Sequence, residues 1–376
     1  MPQIAALVLA PETRLAFGEP IMAQSTSAQK TSNKLLNVNA LLDWYDTHAR
    51  TLPWRVSPAG RAQGLCPDPY SVWLSEVMLQ QTTVVVVGDY YRRFISRWPS
   101  VNNLAAAELD DVLVEWAGLG YYARARNLHA CAKHVANKLG GEFPKSAEDL
   151  QALPGIGPYT ASAIAAICYD ERTAVVDGNV DRVVARLLAL DVPVREAKPA
   201  IRAAVQQVVP ERAGDFAQAM MDLGAGICAP RAASCSSCPI ACDCKASARG
   251  HPTHFPVKPV KAQRPVRYGH AYIFEGNDGA VWLKKRADTG LLAKMTEVPG
   301  SNWESLKIAP TFPGHGKWKG VGQVSHVFTH FRLELDIWHL QVDGDPPGGE
   351  GWWCLPNNFG EEALPSLFRK VLAKLE

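Results

Sequence analysis

Nothing in these 376 residues approaches the ~18 consecutive apolar residues that a membrane-spanning helix requires, so no membrane partner is expected. An excess of charge of one sign is missing too. The 39 Lys and Arg stand against 37 Asp and Glu, a net charge of +2, so any nucleic-acid binding has to come from a local site and not from a bulk positive field. A paired disulfide framework is not expected: the nine cysteines are an odd number, five of them crowd the short segment from Cys228 to Cys244 and the rest are scattered. That pattern fits a reducing, cytoplasmic setting. A secretory leader is not expected either, because the apolar run Ile4 to Ala10 has no basic cluster before it and Glu12 follows closely.

What is present is ordinary globular composition, 47% hydrophobic and 20% charged, in a chain long enough for two or three domains. Residues 1–36 read as a disordered tail, with the polar stretch Ala23 to Lys34 unable to bury enough surface to order itself; Met22 is an alternative initiator. From Val38 the spacing of Leu41, Leu42 and Tyr45 predicts helix, and the pattern stays helical through residues 37–250. "TTVVVV" (Thr82 to Val87) has strand propensity but lies among helical neighbours and is read as helix. Ser146 and Asp149 form a capping pair, Pro154-Gly155 breaks the helix, and Pro158 sits in the first turn of the next. That is helix, hairpin, helix. Four prolines in His251 to Pro265 mark residues 251–266 as an extended linker. Residues 267–376 read as an α+β domain, with a hairpin turning at Asn277 to Gly279 and "HVFTHFRLELDIWHL" alternating as one long strand.

The sharpest signal is "CAPRAASCSSCPIACDC", in which Cys228, Cys235, Cys238 and Cys244 are spaced C-x6-C-x2-C-x5-C. Four soft thiolates in one compact loop can close around one tetrahedral zinc or take the corners of an iron–sulfur cube. Zinc ribbons usually repeat two C-x2-C pairs, and here there is one. Cys242 is read as a bystander.

This spacing, with "LPGIGPYTA", "VDGNV", "WLSEVMLQQT", "GLGYYARARNLH" and "AQAMMDLGAGIC", resembles the endonuclease III superfamily of helix-hairpin-helix DNA glycosylases, and within it the MutY-type adenine DNA glycosylases. The resemblance implies a mainly α glycosylase domain carrying one 4Fe-4S cluster on those four cysteines. It also implies a Nudix-like α+β domain, recognised by "TGLLAKMTEVPG". Only Glu304 follows that stretch, where a working Nudix hydrolase needs several glutamates, so pyrophosphatase activity is not expected. The implied substrate is double-stranded DNA with adenine mispaired to 8-oxoguanine or guanine, acted on by a monomer in the cytoplasm at the nucleoid.

Residue by residue, the resemblance assigns protonation of adenine to Glu76 and stabilisation of the oxocarbenium ion to Asp177, with Asn179 supporting Asp177. Glu76 lies in the apolar run "VWLSEVML", where burial raises a carboxyl pKa, although a lone Glu in such a run can equally face solvent. Asp177 precedes a helix and reads equally as an ordinary cap. Tyr159 stands where strand-nicking relatives carry a Schiff-base lysine, so base excision alone is expected. Gly155 and Gly157 read on their own as an ordinary interhelical turn, and the resemblance implies that this turn holds a DNA phosphate. Arg55 is assigned to the flipped base, Gln81 and Tyr121 to the wedge in the opened duplex, with Tyr122 as the alternative aromatic. Phe328, Thr329 and His330 stand for the family's Phe-Ser-His lesion-reading loop. Two other functions fit parts of the pattern: an endonuclease III-like bifunctional glycosylase and lyase, and a non-catalytic iron–sulfur DNA-binding protein.

Overall fold

The computed structural model describes residues 35–258, 263–347 and 349–375; most of the expected tail lies outside them. Thirteen helices come first: α1 Val38–His48, α2 Pro58–Ala62, α3 Pro69–Leu79, α4 Val84–Arg97, α5 Val101–Ala106, α6 Leu109–Trp116, α7 Ala123–Lys138, α8 Ala147–Gln151, α9 Pro158–Tyr169, α10 Gly178–Leu188, α11 Val194–Gln206, α12 Ala213–Ala225 and α13 Lys245–Ala248. The ambiguous valine run is helical from Val84. Leu36, placed in the tail by its neighbours in sequence, is buried with Leu41 and Tyr45 in the helical core.

Helix α3 is apolar nearly all round, and eight of its eleven residues are buried. A helix with that pattern belongs at the centre of a domain. Its neighbour α9 packs closely against α12 in turn, because that contact is built from small residues: an added Cβ on Gly214 of α12 would sit 2.7 Å from the Ala166 carbonyl oxygen of α9. The connection from α1 to α3 carries the short α2, and Arg61 from it donates to the Ile167 carbonyl at 2.7 Å and pairs with Asp170 and Asp215, fastening the C-terminal end of α9.

The remaining elements are β1 Val266–Glu275, β2 Val281–Lys285, β3 Thr296–Glu297, β4 Lys319–Val327, β5 Arg332–Gln341, β6 Trp352–Cys354 and α14 Ser366–Leu372. The sheet order is β3-β2-β1-β5-β4, with β6 also paired to β2. β1 and β5 run parallel over ten residue pairs, and β4 and β5 are antiparallel. Alternate β5 residues Leu333, Leu335 and Ile337 pack with Leu367, Phe368 and Val371 of α14. The predicted hairpin at 277–279 is present, joining β1 to β2. The predicted single strand from His326 to Leu340 is not: it breaks at 328–331 into β4 and β5, closed by Phe328 N–H donating to the Phe331 carbonyl at 2.9 Å. Alternation continued through the turn because the turn contains neither glycine nor proline. Where described, the linker holds one 3-10 turn at Pro252–His254 and is otherwise irregular up to β1, and its Phe255 is buried against Ala189 and Ala246.

Close packing at Gly214 has a measurable cost. Gly214→Ala should destabilise by about 1–3 kcal/mol, the scale of overpacking. Gly157→Ala, where an added Cβ meets nothing within 4 Å, should cost less than about 1 kcal/mol. Denaturant midpoints of the two variants check this, and equal losses contradict it.

Candidate active site

A cleft of about 1380 Å³ lies between the helical core and the β4–β5 turn, and it is lined by Glu76, Tyr159, Asp177, Asn179, Gln81 and Tyr121 on one side and Phe328, Thr329 and His330 on the other. Gly155 and Gly157 are not among its lining residues.

Glu76 projects from the central helix and is 6% exposed. The Tyr159 hydroxyl, at the start of α9, donates to its Oε2 at 2.7 Å. Burial pushes the Glu76 carboxyl up to about 7; the Tyr159 bond and Arg55 work against this, and the charge of Asp177 adds to it. Tyr159 itself is held well above the usual phenol range, first by burial and then by the charges of Glu76 and Asp177. It therefore remains a donor near neutrality.

Asp177 is the N-cap of α10. Its Oδ1 accepts from Asn179 N at 2.9 Å and Val180 N at 2.7 Å, and its Oδ2 accepts from Asn179 Nδ2 at 2.8 Å. All three partners are N–H donors, a set that suits an anion. The capping role and the candidate catalytic role are thus met by the same oxygens. Asn179 Oδ1 in turn accepts from Arg182, whose Nε reaches the Cys228 carbonyl at 2.9 Å. One turn further, buried Arg186 donates to the Cys228 carbonyl and its Sγ. Helix α10 so joins the acid at its start to the cysteine loop along its side.

The other sequence-assigned residues are placed as follows. Arg55 lines the cleft, but its Nη1 is held by both oxygens of Asp222 at 2.8 Å each, so its charge is already paired. Gln81 and Tyr121 both have positive φ, 62° and 50°, a conformation that costs non-glycine residues energy and marks built turns. Tyr121 is 51% exposed and Tyr122 is buried, so Tyr121 is the aromatic presented to the cleft. Gly155 has φ 72°, and an added Cβ would lie 2.5 Å from Asn127 Cβ. Gly157 caps α9 without a side chain, leaving the first-turn amides free to face an anion. In the facing turn, Phe328 stacks on Trp303 with centroids 5.6 Å apart, and Thr329 Oγ1 donates to the Tyr121 hydroxyl at 3.2 Å. Arg126 to the Ala293 carbonyl at 2.9 Å and Lys285 to Asp110 at 2.7 Å also join helical and sheet residues.

Sequence reading missed Arg124 and Asp222. Arg124 donates to the carbonyls of Val77, Met78, Leu119 and Gly120, binding the end of α3 to the Tyr121 turn. No pattern separates it from a surface arginine. Asp222 is an acid in an apolar helix, the same local signal that Glu76 carries.

Cys228, Cys235, Cys238 and Cys244 sit on one loop, each partly buried. Burial, with the charges of Cys228, Cys244 and Cys235 adding to it, pushes Cys238 up to about 11. Among the described residues, no three His, Cys, Asp or Glu side chains converge closely enough to hold a single metal ion.

Similarity to known proteins covers most of the chain. A family profile for the HhH-GPD superfamily base excision DNA repair proteins matches residues 74–211, and one for the NUDIX domain matches 270–374. The adenine DNA glycosylase of Homo sapiens is 34% identical over 94% of this chain and 77% of its own length. That of Buchnera aphidicola subsp. Baizongia pistaciae is 32% identical over 91% of this chain and 97% of its own. Among solved structures, a thermostable thymine-DNA glycosylase aligns at 26% identity with a TM-score of 0.49, covering 56% of this chain and 95% of that one.

The raised Glu76 pKa predicts a pH-dependent stability. A carboxyl that binds its proton more tightly when folded loses stability as pH climbs from its unfolded pKa near 4.5 through about 7. Glu76→Gln removes that penalty, so it should gain stability on the order of 3 kcal/mol at pH 8 over its effect at pH 4.5. Urea midpoints at both pH values test this; the same offset at both contradicts it.

Proposed function

The chain belongs to the adenine DNA glycosylases, base excision repair enzymes that act on DNA, and from that premise we propose how its cleft works and which mispair it serves. An adenine paired with 8-oxoguanine, or less favourably with guanine, leaves the stack and enters between Glu76 and Asp177. The observation that carries this reading is the pair of unlike acids: one buried, proton-holding and oriented by a phenol, the other wrapped in N–H donors.

Glu76 gives its proton to the imidazole ring of the extruded adenine, which turns the base into a neutral leaving group. As the glycosidic bond stretches, positive charge develops on the sugar, and Asp177 faces it as a fixed anion. The deprotonated Glu76, still holding the Tyr159 hydroxyl, then accepts a proton from the water that attacks the sugar carbon. Residue 159 is a phenol, so no imine forms there and the reaction ends in hydrolysis. That phenol also disfavours the bifunctional reading. Gln81 and Tyr121 enter the space the base vacates, and the amides around Gly157 hold a backbone phosphate without reading sequence.

Thr329 reads the partner base. Its hydroxyl can donate or accept, and in the free enzyme it is engaged with Tyr121, so the lesion reader and the wedge form one contact. Cys228, Cys235, Cys238 and Cys244 fit a 4Fe-4S cluster. Four thiols on one loop, spaced C-x6-C-x2-C-x5-C, are the soft donor set that such a cluster takes, whereas a zinc ribbon usually repeats two C-x2-C pairs. When bound, the cluster supplies covalent closure of the loop that α10 grips.

Single-turnover excision of adenine opposite 8-oxoguanine, guanine and cytosine tests the proposal. The rate should be highest opposite 8-oxoguanine, and Thr329→Val should narrow its lead over guanine several-fold, the scale of one hydrogen bond at ~1 kcal/mol. Equal discrimination by wild type and variant refutes the role of the hydroxyl.

A further inference from the structure

One turn beyond Asp177 on α10, Asp181 also lines the cleft, and the mechanism above does not use it. It is 7% exposed, and its Oδ1 is buried with no hydrogen-bond partner among the described residues. Its Oδ2 lies 4.0 Å from Nζ of Lys198 on α11. The Lys198 side chain is 65% exposed and lines the same cleft. A buried carboxylate thus stands beneath an ammonium that is paired but not hydrogen-bonded at that distance, leaving its three N–H groups free for another acceptor.

The place of this pair in the cleft says what that acceptor is. Asp177 and Asp181 both line the cleft from α10, about 6 Å apart along the helix at 1.5 Å per residue. Beyond Asp177 along α10 the next charged groups are therefore Asp181 and, 4.0 Å from it, Lys198. With the base against Glu76 and the sugar against Asp177, the next group of a nucleotide in that direction is its phosphate.

We propose that Lys198, tethered over the cleft by the Asp181 carboxylate, ion-pairs with a DNA phosphate flanking the extruded nucleotide. Lys198 is then a backbone contact distinct from the hairpin amides at Gly157, and Asp181 is its positioning residue. This rests on the glycosylase reading, since it takes the nucleotide's orientation from the two acids.

The test measures binding to a duplex carrying a tetrahydrofuran abasic analogue opposite 8-oxoguanine, across a salt series. Each phosphate contact contributes about 0.9 to the slope of log affinity against log salt, so Lys198→Met should lower the slope by about 0.9 and Lys198→Arg should keep it. A neutral methylphosphonate at one of the two linkages flanking the analogue should weaken the wild type and leave Lys198→Met unaffected. Asp181→Asn should shift affinity severalfold when Lys198 is present and not in the Lys198→Met background. An unchanged slope in Lys198→Met overturns the contact, and equal Asp181→Asn shifts in both backgrounds overturn the tether. Wild-type excision of adenine is measured alongside: its loss opposite every partner base fails the glycosylase reading, whereas an unchanged slope with excision intact fails only this inference.

Discussion

A carboxyl group taken out of water gives up its charge unless something nearby repays the desolvation, and Glu76 is held close to balance between the two outcomes. Burial in the central helix favours the proton, and a single 2.7 Å bond from Tyr159 favours the anion. The balance matters because in the proposed mechanism the same group first donates a proton and then accepts one. A fully exposed glutamate would be ionised before it met a base, and one without the phenol would hold its proton too tightly to take part in the second half. Much of the helical architecture serves this condition: α3 is placed at the centre of the domain, α9 packs on it and is closed from behind by α12 through small residues, and Arg61 fastens the far end of α9.

Asp177 is built on the opposite plan. Its oxygens are spent on the N-terminus of α10, so the group that faces the reacting sugar is fixed by the same bonds that start the helix. Through Asn179 and Arg182 that geometry continues to the Cys228 carbonyl. The cysteine loop therefore bears on the active site through backbone and guanidinium contacts, without its thiols touching the cleft.

Local pattern alone left both acids open, Glu76 as a surface-facing residue of an apolar run and Asp177 as an ordinary cap, and it was the blocks shared with the family that singled them out. The hairpin was legible from its glycines and prolines, and the start of α9 from Pro158. What sequence could not supply was pairing across distance. Arg55 is committed to Asp222, 167 residues away, and nothing local announces it. Neighbouring Tyr121 and Tyr122 were indistinguishable until the backbone turned one outward with positive φ. The turn at 328–331 was hidden inside a continuous alternation, yet it is what brings Thr329 within 3.2 Å of Tyr121. The valine run at 84–87 shows tertiary context overriding propensity, since β-branched residues there complete a helix beside α3.

The pH dependence of single-turnover adenine excision, in wild type and in Tyr159→Phe, tests the account at its centre. The wild-type rate should fall as pH rises through about 7, where Glu76 loses its proton. Removing the phenol's bond, which favours the anion, should move that limb to higher pH. A limb that stays in place or moves downward would show that another group carries the proton.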